Sequence, residues 1–394
     1  MKRNHDVCTS LDDLIDDLKL EILCRLPVKL LAKFTCVSKA WQRLIINFCF
    51  PKIASKLAFS TYVTSCDRSI LFHDYRLHNS YEGLWKRLKR FRQSSRDSLL
   101  DSCNGLVLLC IHNSITGPNL YRYFVLNILT KQCGIITKPY PRTGRNKYAA
   151  LAYDPSKSCH YKIVRFQGFR SLNIFCSKSG NWITLRYRLE NHIITKYWED
   201  RSVYFKRALY RLSMSGHLIR FFIDKKINAS GQVQAIELPD VARANPHGCV
   251  GLNKGEIHFS HSDESNMRIW VLQHKSNSSY EWLLKYTIPS NRIPTKDLRP
   301  LVFHPYDDTI ILCLEKLIRN IMMVYHFGDR QVSSLSISHI YFRNIWNGVF
   351  PFLQCEVPFA IGKADEATVS ILHAPFSPFI FYTFINSIFW LPSF

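Results

Sequence analysis

Five segments of this chain share one layout, an apolar strand followed by a polar turn and a second strand, and this repeat limits the possible folds more than any other feature. The turns lie near residues 130, 179, 227, 276 and 328. Their spacing of roughly fifty residues is typical of the blades of a β-propeller. A weaker sixth unit lies at residues 69–85. A pair of all-β sandwiches without radial closure is the alternative, and the regular spacing favours the propeller.

A four-stranded blade requires further strands between these turns, and the sequence supplies candidates for them. The stretch SVYFKRALYRLS, which begins at Ser202, is interpreted as one continuous strand. The other candidates are shorter runs of apolar and β-branched residues that begin at Gly105, His160, Gly255 and Thr309. Strand or turn positions hold Trp182, Trp270, Trp282 and Trp346, which we expect in the cores of the blades, with a place on a binding surface as the alternative for some of them.

Residues 14–50 follow a different period, which predicts three short amphipathic helices. Apolar residues spaced four, five and eight positions after Leu18 form one face of the first helix. Pro27 ends that helix and can begin the second, and Ser38 is the predicted N-cap of the third. Helices this short bury too little apolar surface to be stable alone. We therefore expect this end of the chain to dock on a partner protein.

The formal net charge of +22 suggests nucleic-acid binding as one hypothesis, because Lys and Arg neutralise phosphates. The densest basic run, from Lys86 to Arg96, lacks the interleaved aromatic residues of a single-strand platform. The sequence also has no zinc-finger, RNA-recognition or basic-zipper motif. A solvated basic surface or a patch for an acidic partner is therefore favoured, and nucleic acid is not expected as a partner.

The thirteen cysteines include no C-x-x-C pair and no Cys/His cluster with zinc spacing. Because they are scattered inside apolar runs, they indicate buried, reduced thiols and a cytoplasmic or nuclear protein. The polar N-terminus is not that of a signal peptide. Residues 379–391 are apolar but shorter than the about twenty residues of a membrane span. The tail is interpreted as a last strand or a divergent end, a membrane-associated tail is less favoured, and a membrane is not expected as a partner.

Motifs that carry chemistry are missing from the sequence. There is no P-loop, no dinucleotide fingerprint, no H-E-x-x-H and no nucleophile elbow. His258 and His261 lie three positions apart in a predicted strand, so their side chains point to opposite faces and cannot share a metal. We expect no catalytic residue, no metal site and no cofactor, and no motif identifies residues that bind a substrate.

The words ILCRLPVK and KFTCVSKAWQRLI resemble the F-box of plant F-box proteins. The resemblance implies a subunit of an SCF-type cullin–RING ubiquitin ligase, in which the F-box binds a Skp-type adaptor and the remaining chain selects a target protein. It implies that the adaptor contacts are drawn from Leu14, Leu18, Ile22, Leu23, Leu26, Pro27, Leu31, Val37, Ser38, Trp41, Leu44 and Ile45. Ile15 and Phe48 depart from the family pattern, in which Pro follows the first Leu and Asp-Pro precedes the closing Phe.

The later sequence resembles the F-box-associated domain of the same plant proteins, which is kelch-like or propeller-like. Residues 102–106 read S-C-N-G-L, residues 153–155 read Y-D-P and are followed by Y-K-I-V, and residues 179–182 read S-G-N-W. Asn104-Gly105 is also a hairpin signal, and Asp154-Pro155 begins a turn between strands. Both elements are therefore interpreted as structural.

The sequence thus predicts an α+β multidomain chain, with a small three-helix F-box followed by an all-β domain that is a β-propeller of about six blades. The expected parts are the F-box at 10–57, a connector that could include a first blade at 58–100, the F-box-associated domain at 101–363 and a divergent tail at 364–394. The function implied is that of a non-catalytic substrate receptor whose partners are the Skp-type adaptor, cullin and RING subunits and an unknown target. The alternative is a propeller scaffold with a degenerate F-box that does not bind the adaptor.

Overall fold

The computed structural model of the chain describes most of the helices and strands and fewer of their connections. The described residues are 16–54, 59–66, 69–74, 98–113, 120–127, 132–137, 149–167, 170–190, 193, 198–224, 233–244, 248–275, 279–289, 298–304, 308–314, 321–334, 349–353 and 359. The tail 364–394, with its predicted strand, lies outside them.

The N-terminal part contains the three predicted helices. They are α1 (Asp16–Leu23), α2 (Val28–Phe34) and α3 (Lys39–Leu44), and α3 continues through a π-helical turn (Ile45–Cys49) into α4 (Phe50–Ala54). The hydroxyl oxygen of Ser38 accepts a hydrogen bond from the backbone N–H of Trp41 at 3.2 Å, which confirms Ser38 as an N-cap. Pro27 is the N-cap residue of α2 as predicted, but α1 already ends at Leu23, so four residues separate the first two helices.

The described strands form six antiparallel sheets. The first two strands are β1 (Phe59–Cys66) and β2 (Ser69–Asp74). Blade 1 contains β3 (Ser98–Cys103), β4 (Leu106–Asn113), β5 (Leu120–Asn127) and β6 (Gln132–Thr137). Blade 2 contains β7 (Ala149–Ala152), β8 (Lys162–Gln167), β9 (Ser171–Cys176) and β10 (Asn181–Arg186).

Blades 3 to 5 repeat the same order of four sequential strands. Blade 3 contains β11 (Trp198–Phe205), β12 (Ala208–Ser213), β13 (His217–Phe221) and β14 (Val233–Glu237). Blade 4 contains β15 (Gly248–Asn253), β16 (Glu256–Ser262), β17 (Asn266–His274) and β18 (Tyr280–Pro289). Blade 5 contains β19 (Leu298–Phe303), β20 (Thr309–Leu314), β21 (Ile321–His326) and β22 (Val332–Ser334).

The six sheets close into a ring, which decides between the propeller and the open sandwiches. The last strand, β23 (Val349–Leu353), pairs antiparallel with β1 in a three-stranded sheet of order β2-β1-β23, which we call the closing sheet. The first strands of the five blades contact one another in sequence, and β23 contacts both β3 and β19. The fold is therefore a β-propeller with five four-stranded blades, where about six were predicted, and the three-stranded closing sheet fills the remaining position.

Apolar side chains fill the spaces between neighbouring blades. Leu108 of blade 1 and Ile163 of blade 2 belong to one buried cluster, and Tyr210 of blade 3 and Phe259 of blade 4 belong to another. Burial of such side chains against the next sheet is what holds radially arranged sheets together. Trp270 is buried as predicted and Trp182 packs against the first cluster, whereas Trp346 lies outside the described residues.

The five predicted turns all join the third strand of a blade to its fourth. The interpretation of SVYFKRALYRLS as one strand was wrong, because the chain reverses at Lys206 and Arg207 between β11 and β12. These two residues have φ angles of 45° and 64°. A two-residue hairpin turn with positive φ at both positions is normally marked by Asn or Gly, so this Lys-Arg turn carries no sequence signal.

The S-C-N-G-L and Y-D-P elements touch each other and join blade 1 to blade 2. Asn104 adopts a φ of 46° in the turn between β3 and β4, and its side-chain Nδ2 donates to the backbone carbonyl of Tyr153 at 2.6 Å. The same contact recurs between blades 4 and 5, where Nδ2 of Asn253 donates to the carbonyl of His304 at 2.8 Å. In both places an asparagine at the end of the first strand of one blade is bonded to the carbonyl that follows the first strand of the next.

Replacing Asn253 by Ala is expected to lower the free energy of unfolding by about 1–3 kcal/mol, because the buried carbonyl of His304 loses its donor. Asn253→Asp should destabilise at least as much, since it places a carboxylate oxygen against that carbonyl. The measurement is urea unfolding of the full chain. Asn181→Ala, at an exposed position in β10, is the control and should change stability by less than about 0.5 kcal/mol. Equal stability of Asn253→Ala and the wild type would show that the contact is dispensable.

Candidate functional site

The N-terminal helices pack on a small apolar core of their own. Its buried members come from α1, α2, the π-helical turn and α4, and they are Leu23, Leu31, Ile45, Cys49 and Phe50. The Trp41 ring packs edge-on against Phe34, with 5.7 Å between the ring centroids. This core fixes the helices relative to one another and leaves their other faces free for contacts.

Exposed apolar side chains are concentrated on these helices. Of the ten large hydrophobic residues that are exposed in the described part of the chain, five lie in this region, namely Leu18, Ile22, Leu30, Val37 and Phe48. Leu18 and Ile22 are four residues apart on α1 and are therefore neighbours on one helix face. Val37, in the turn before α3, is 64% exposed, and Phe48 is 55% exposed. Apolar surface concentrated in this way on a small module is typical of a protein-docking site.

The structure divides the twelve sequence-predicted contact residues into three groups. Leu18, Ile22, Pro27, Val37 and Ser38 are exposed, and Leu26, Trp41 and Leu44 are half-buried against the helix core. Leu23, Leu31 and Ile45 are buried in that core, and Leu14 lies outside the described residues. The exposed group can contact a partner directly, whereas the buried three can support such a contact only by holding the helices in place.

Two exposed residues, Leu30 and Phe48, were not among the predicted contacts. Leu30 belongs to the apolar pattern of α2, but the prediction included only its neighbour Leu31. Phe48 stands where the family pattern differs, and its exposed ring adds apolar area to the surface. Both residues fit the helical period of the apolar pattern, so the sequence carried no signal that would have identified them as exposed.

Exposed cations accompany the apolar residues. Lys33 lies in the last turn of α2, Lys39 begins α3, and Arg43 lies in the last turn of α3. By contrast, Arg25 is paired with Glu21 one turn earlier on the chain. The α2–α3 side of the module therefore favours a partner with an acidic surface.

Burial shifts the pKa values of several titratable groups among the described residues. Burial raises the pKa of the Cys49 thiol to about 12 and that of Cys133 to about 12, so both stay protonated near neutral pH. Burial lowers the pKa of His258, whose Nε2 lies 3.4 Å from Nζ of Lys285. Among the described residues no group of three His, Cys, Asp or Glu side chains is placed to bind a metal. No described helix is long and apolar enough to cross a membrane.

Comparison with known families identifies both parts of the chain. Residues 11–53 match the F-box domain, and residues 59–353 match the F-box associated beta propeller domain. The Arabidopsis thaliana protein named F-box protein At5g07610 is 24% identical over 95% of this chain and 84% of its own length. F-box protein At3g26010 of the same plant is also 24% identical, over 76% of this chain and 73% of its own length. Among solved structures, TolB from Acinetobacter baumannii is 15% identical, with a TM-score of 0.45 over 77% of this chain and 69% of its own.

Proposed function

The chain belongs to the F-box proteins that carry an F-box associated beta propeller domain, and we propose that it is the substrate-recognition subunit of an SCF-type ubiquitin ligase. In this role the F-box docks on a Skp-type adaptor, and through it on cullin and RING subunits. The propeller holds a target protein for ubiquitination. The observation that carries the proposal is the set of exposed apolar side chains on the F-box helices, of which Val37 is the most exposed.

The exposed apolar residues supply the driving force for adaptor binding. Burying an exposed Val, Leu, Ile or Phe side chain contributes about 1.5–3 kcal/mol when the burial is complete. Five such residues, between 40% and 64% exposed, lie on this module, so a part of this contribution from each is available to offset the cost of association. Lys33, Lys39 and Arg43 add electrostatic steering toward an acidic adaptor surface.

The contribution of this subunit to ubiquitination is proximity rather than chemistry. Holding the target beside the ubiquitin-conjugating enzyme raises the effective concentration of its lysines at a thioester that this chain does not carry. In this proposal no residue of the chain serves as acid, base or nucleophile. We place the protein in the cytoplasm or the nucleus, where its buried cysteines stay reduced.

Co-expression of the full chain with a Skp-type adaptor tests the proposal. We expect the two proteins to co-purify and to elute together as a one-to-one complex in size-exclusion chromatography. Addition of cullin and RING subunits to that complex should give a larger species. A chain that is folded and monodisperse but elutes without the adaptor would support the alternative, a propeller scaffold whose F-box does not dock.

A further inference from the structure

A groove opens at the rim of the propeller between blades 3 and 4. It has a volume of about 630 Å³ and is lined by the outermost strand of blade 3, β14, the turn that follows it, and the beginning of the outermost strand of blade 4, β18. Its size is that of a peptide or ligand site. Adaptor binding does not account for this groove, because its lining residues belong to the propeller and not to the F-box helices.

One wall of the groove is the free edge of a β-sheet. The N–H of Leu238 donates to the carbonyl of Gly216 at 2.9 Å, and His217 stands opposite Glu237 in the register of β13 and β14. Since the backbone groups of successive residues point to opposite sides of a strand, Ala235 and Glu237 direct theirs away from β13. No described residue pairs with the N–H of Ala235 or of Glu237. Two donors of a sheet edge therefore face the groove.

Two aromatic side chains of β18 lie beside this sheet edge in the groove. Nε1 of Trp282 donates to the outward carbonyl of Glu237 at 2.8 Å, and the Trp282 ring lies 5.8 Å from the Phe259 ring. Tyr280, two residues earlier on the same face of β18, has its hydroxyl bonded to Arg220. Both rings are thus held in place beside the edge, where they offer apolar contacts to a strand laid along it.

The charge of the groove is opposite to that of the chain. Among the described residues, Glu237, Asp240 and Glu281 line it together with one cation, Arg243, whereas the whole chain has an excess of 22 positive charges. Arg243 is 2.9 Å from Glu237 and 2.8 Å from Asp240, and Lys275 at the rim pairs with Glu281. These pairs are exposed, and exposed pairs contribute only about 0–1 kcal/mol, so cations of a ligand can exchange with them.

We propose that this groove binds an extended segment rich in Lys or Arg as an additional strand on the edge of β14. The proposal rests on the proposed function, since the segment belongs to the target protein. Main-chain hydrogen bonds to Ala235 and Glu237 supply affinity, the Tyr280 and Trp282 rings receive apolar side chains, and the carboxylates select cations. In strand addition of this kind only alternate side chains of the peptide contact the binding protein, so few positions of the peptide sequence are specified.

The probe is a fluorescein-labelled peptide with the sequence KVKVKVK, measured by anisotropy against the full chain. A protein with net charge +22 repels this cation in general, so saturable binding reports a local acidic site. We expect the matched uncharged peptide QVQVQVQ to bind at least about tenfold more weakly. A KVKVKVK peptide with alternate backbone nitrogens methylated should also lose at least about tenfold, because it cannot pair with the edge.

Ala235→Pro tests the edge from the protein side. The substitution removes an outward N–H and leaves the β13–β14 pairing intact, and proline is tolerated on an edge strand in this orientation. We expect binding of KVKVKVK to weaken at least about tenfold, with an unchanged circular dichroism spectrum. The control is Arg186→Pro in β10, the outer strand of blade 2, where the bond from the Tyr187 N–H to the Arg170 carbonyl shows that the N–H of Arg186 also points outward.

Undiminished binding by Ala235→Pro, equal binding of the uncharged peptide or of the methylated peptide, or no saturable binding of KVKVKVK would each overturn the proposal. Adaptor co-purification is measured on the same protein preparations. If the adaptor binds and the peptides do not, the groove proposal fails and the ligase assignment stands. If the peptides bind as expected and the adaptor does not, the groove is a peptide site of a protein that is not a ligase subunit.

Discussion

A chain carrying Ile22→Asp and Val37→Asp is expected to lose binding to a Skp-type adaptor by at least about 100-fold, which corresponds to about 2.8 kcal/mol. Both side chains are exposed in the free protein, so the carboxylates are solvated there and the helices keep their core. In the complex the same carboxylates would be buried against an apolar surface without a partner, which is costly. Isothermal titration of the purified adaptor into each protein measures the change.

Two further variants separate binding from folding. Val332→Asp places the same substitution at an exposed valine of blade 5, where it should leave adaptor affinity within about twofold of the wild type. Leu31→Asp places a carboxylate in the core of the helices and should unfold them, which circular dichroism would report as lost helical signal. If the double variant bound the adaptor as tightly as the wild type, the exposed apolar residues would not be the docking surface.

The sequence alone could not separate the buried contact residues from the exposed ones. Leu18, Ile22 and Leu23 all lie in the apolar pattern of α1, and the pattern gives the face but not the depth of burial. Depth depends on what packs against an eight-residue helix, and here Leu31 and Ile45 cover Leu23 and leave the other two exposed. The prediction of a docking module was within reach of the sequence, whereas the assignment of residues to its surface required the structure.

The propeller shows the same division between local and distant information. The turn at Asn104-Gly105 and the cap at Ser38 depend on neighbouring residues and were predicted correctly, and the period of about fifty residues indicated the blades. The turn at Lys206-Arg207 was missed because neither residue signals a positive φ. Trp282 packs in part against the core cluster of blades 3 and 4 and also lines the groove beside β14, and the sequence could not show this because its partner Glu237 lies 45 residues earlier.

Asp101 is the buried acidic residue with the clearest structural role that the sequence did not reveal. It lies in β3, the first strand of blade 1, and is only 4% exposed. One carboxylate oxygen accepts the N–H of Ser102 at 2.8 Å, and the other accepts the N–H of Leu151 in β7 at 2.7 Å. A single side chain thus satisfies a backbone donor in each of two neighbouring blades.

Asp101→Ala is expected to lower the free energy of unfolding by about 2–6 kcal/mol. Each of the two amide donors that it leaves without an acceptor costs about 1–3 kcal/mol when buried. Asp240→Ala, at a carboxylate that is 87% exposed, is the matched control and should cost less than about 0.5 kcal/mol. Urea unfolding of the full chain at constant pH measures both. A change for Asp101→Ala as small as that of the control would show that water replaces the carboxylate at both donors.

The free energy of unfolding of the wild type should also fall as the pH rises from about 4 to about 8, and that of Asp101→Asn should not show this fall. Burial raises the pKa of the Asp101 carboxyl from its ordinary value of 3.8 to about 8, against the lowering effect of its two backbone hydrogen bonds and of Arg201. Between these values the folded chain holds a proton that the unfolded chain has released, so the stabilising effect is fully present below pH 4 and is lost as the pH approaches 8.

The Asp101→Asn variant has no such proton, and its amide also cannot accept both N–H groups, so it should be less stable than the wild type at pH 4. The difference should shrink with increasing pH by at most about 1.4 kcal/mol per pH unit. Urea unfolding of both proteins at pH 5, 6 and 7 measures it, and a difference that is constant or grows across this range would mean that Asp101 is ionised in the folded propeller.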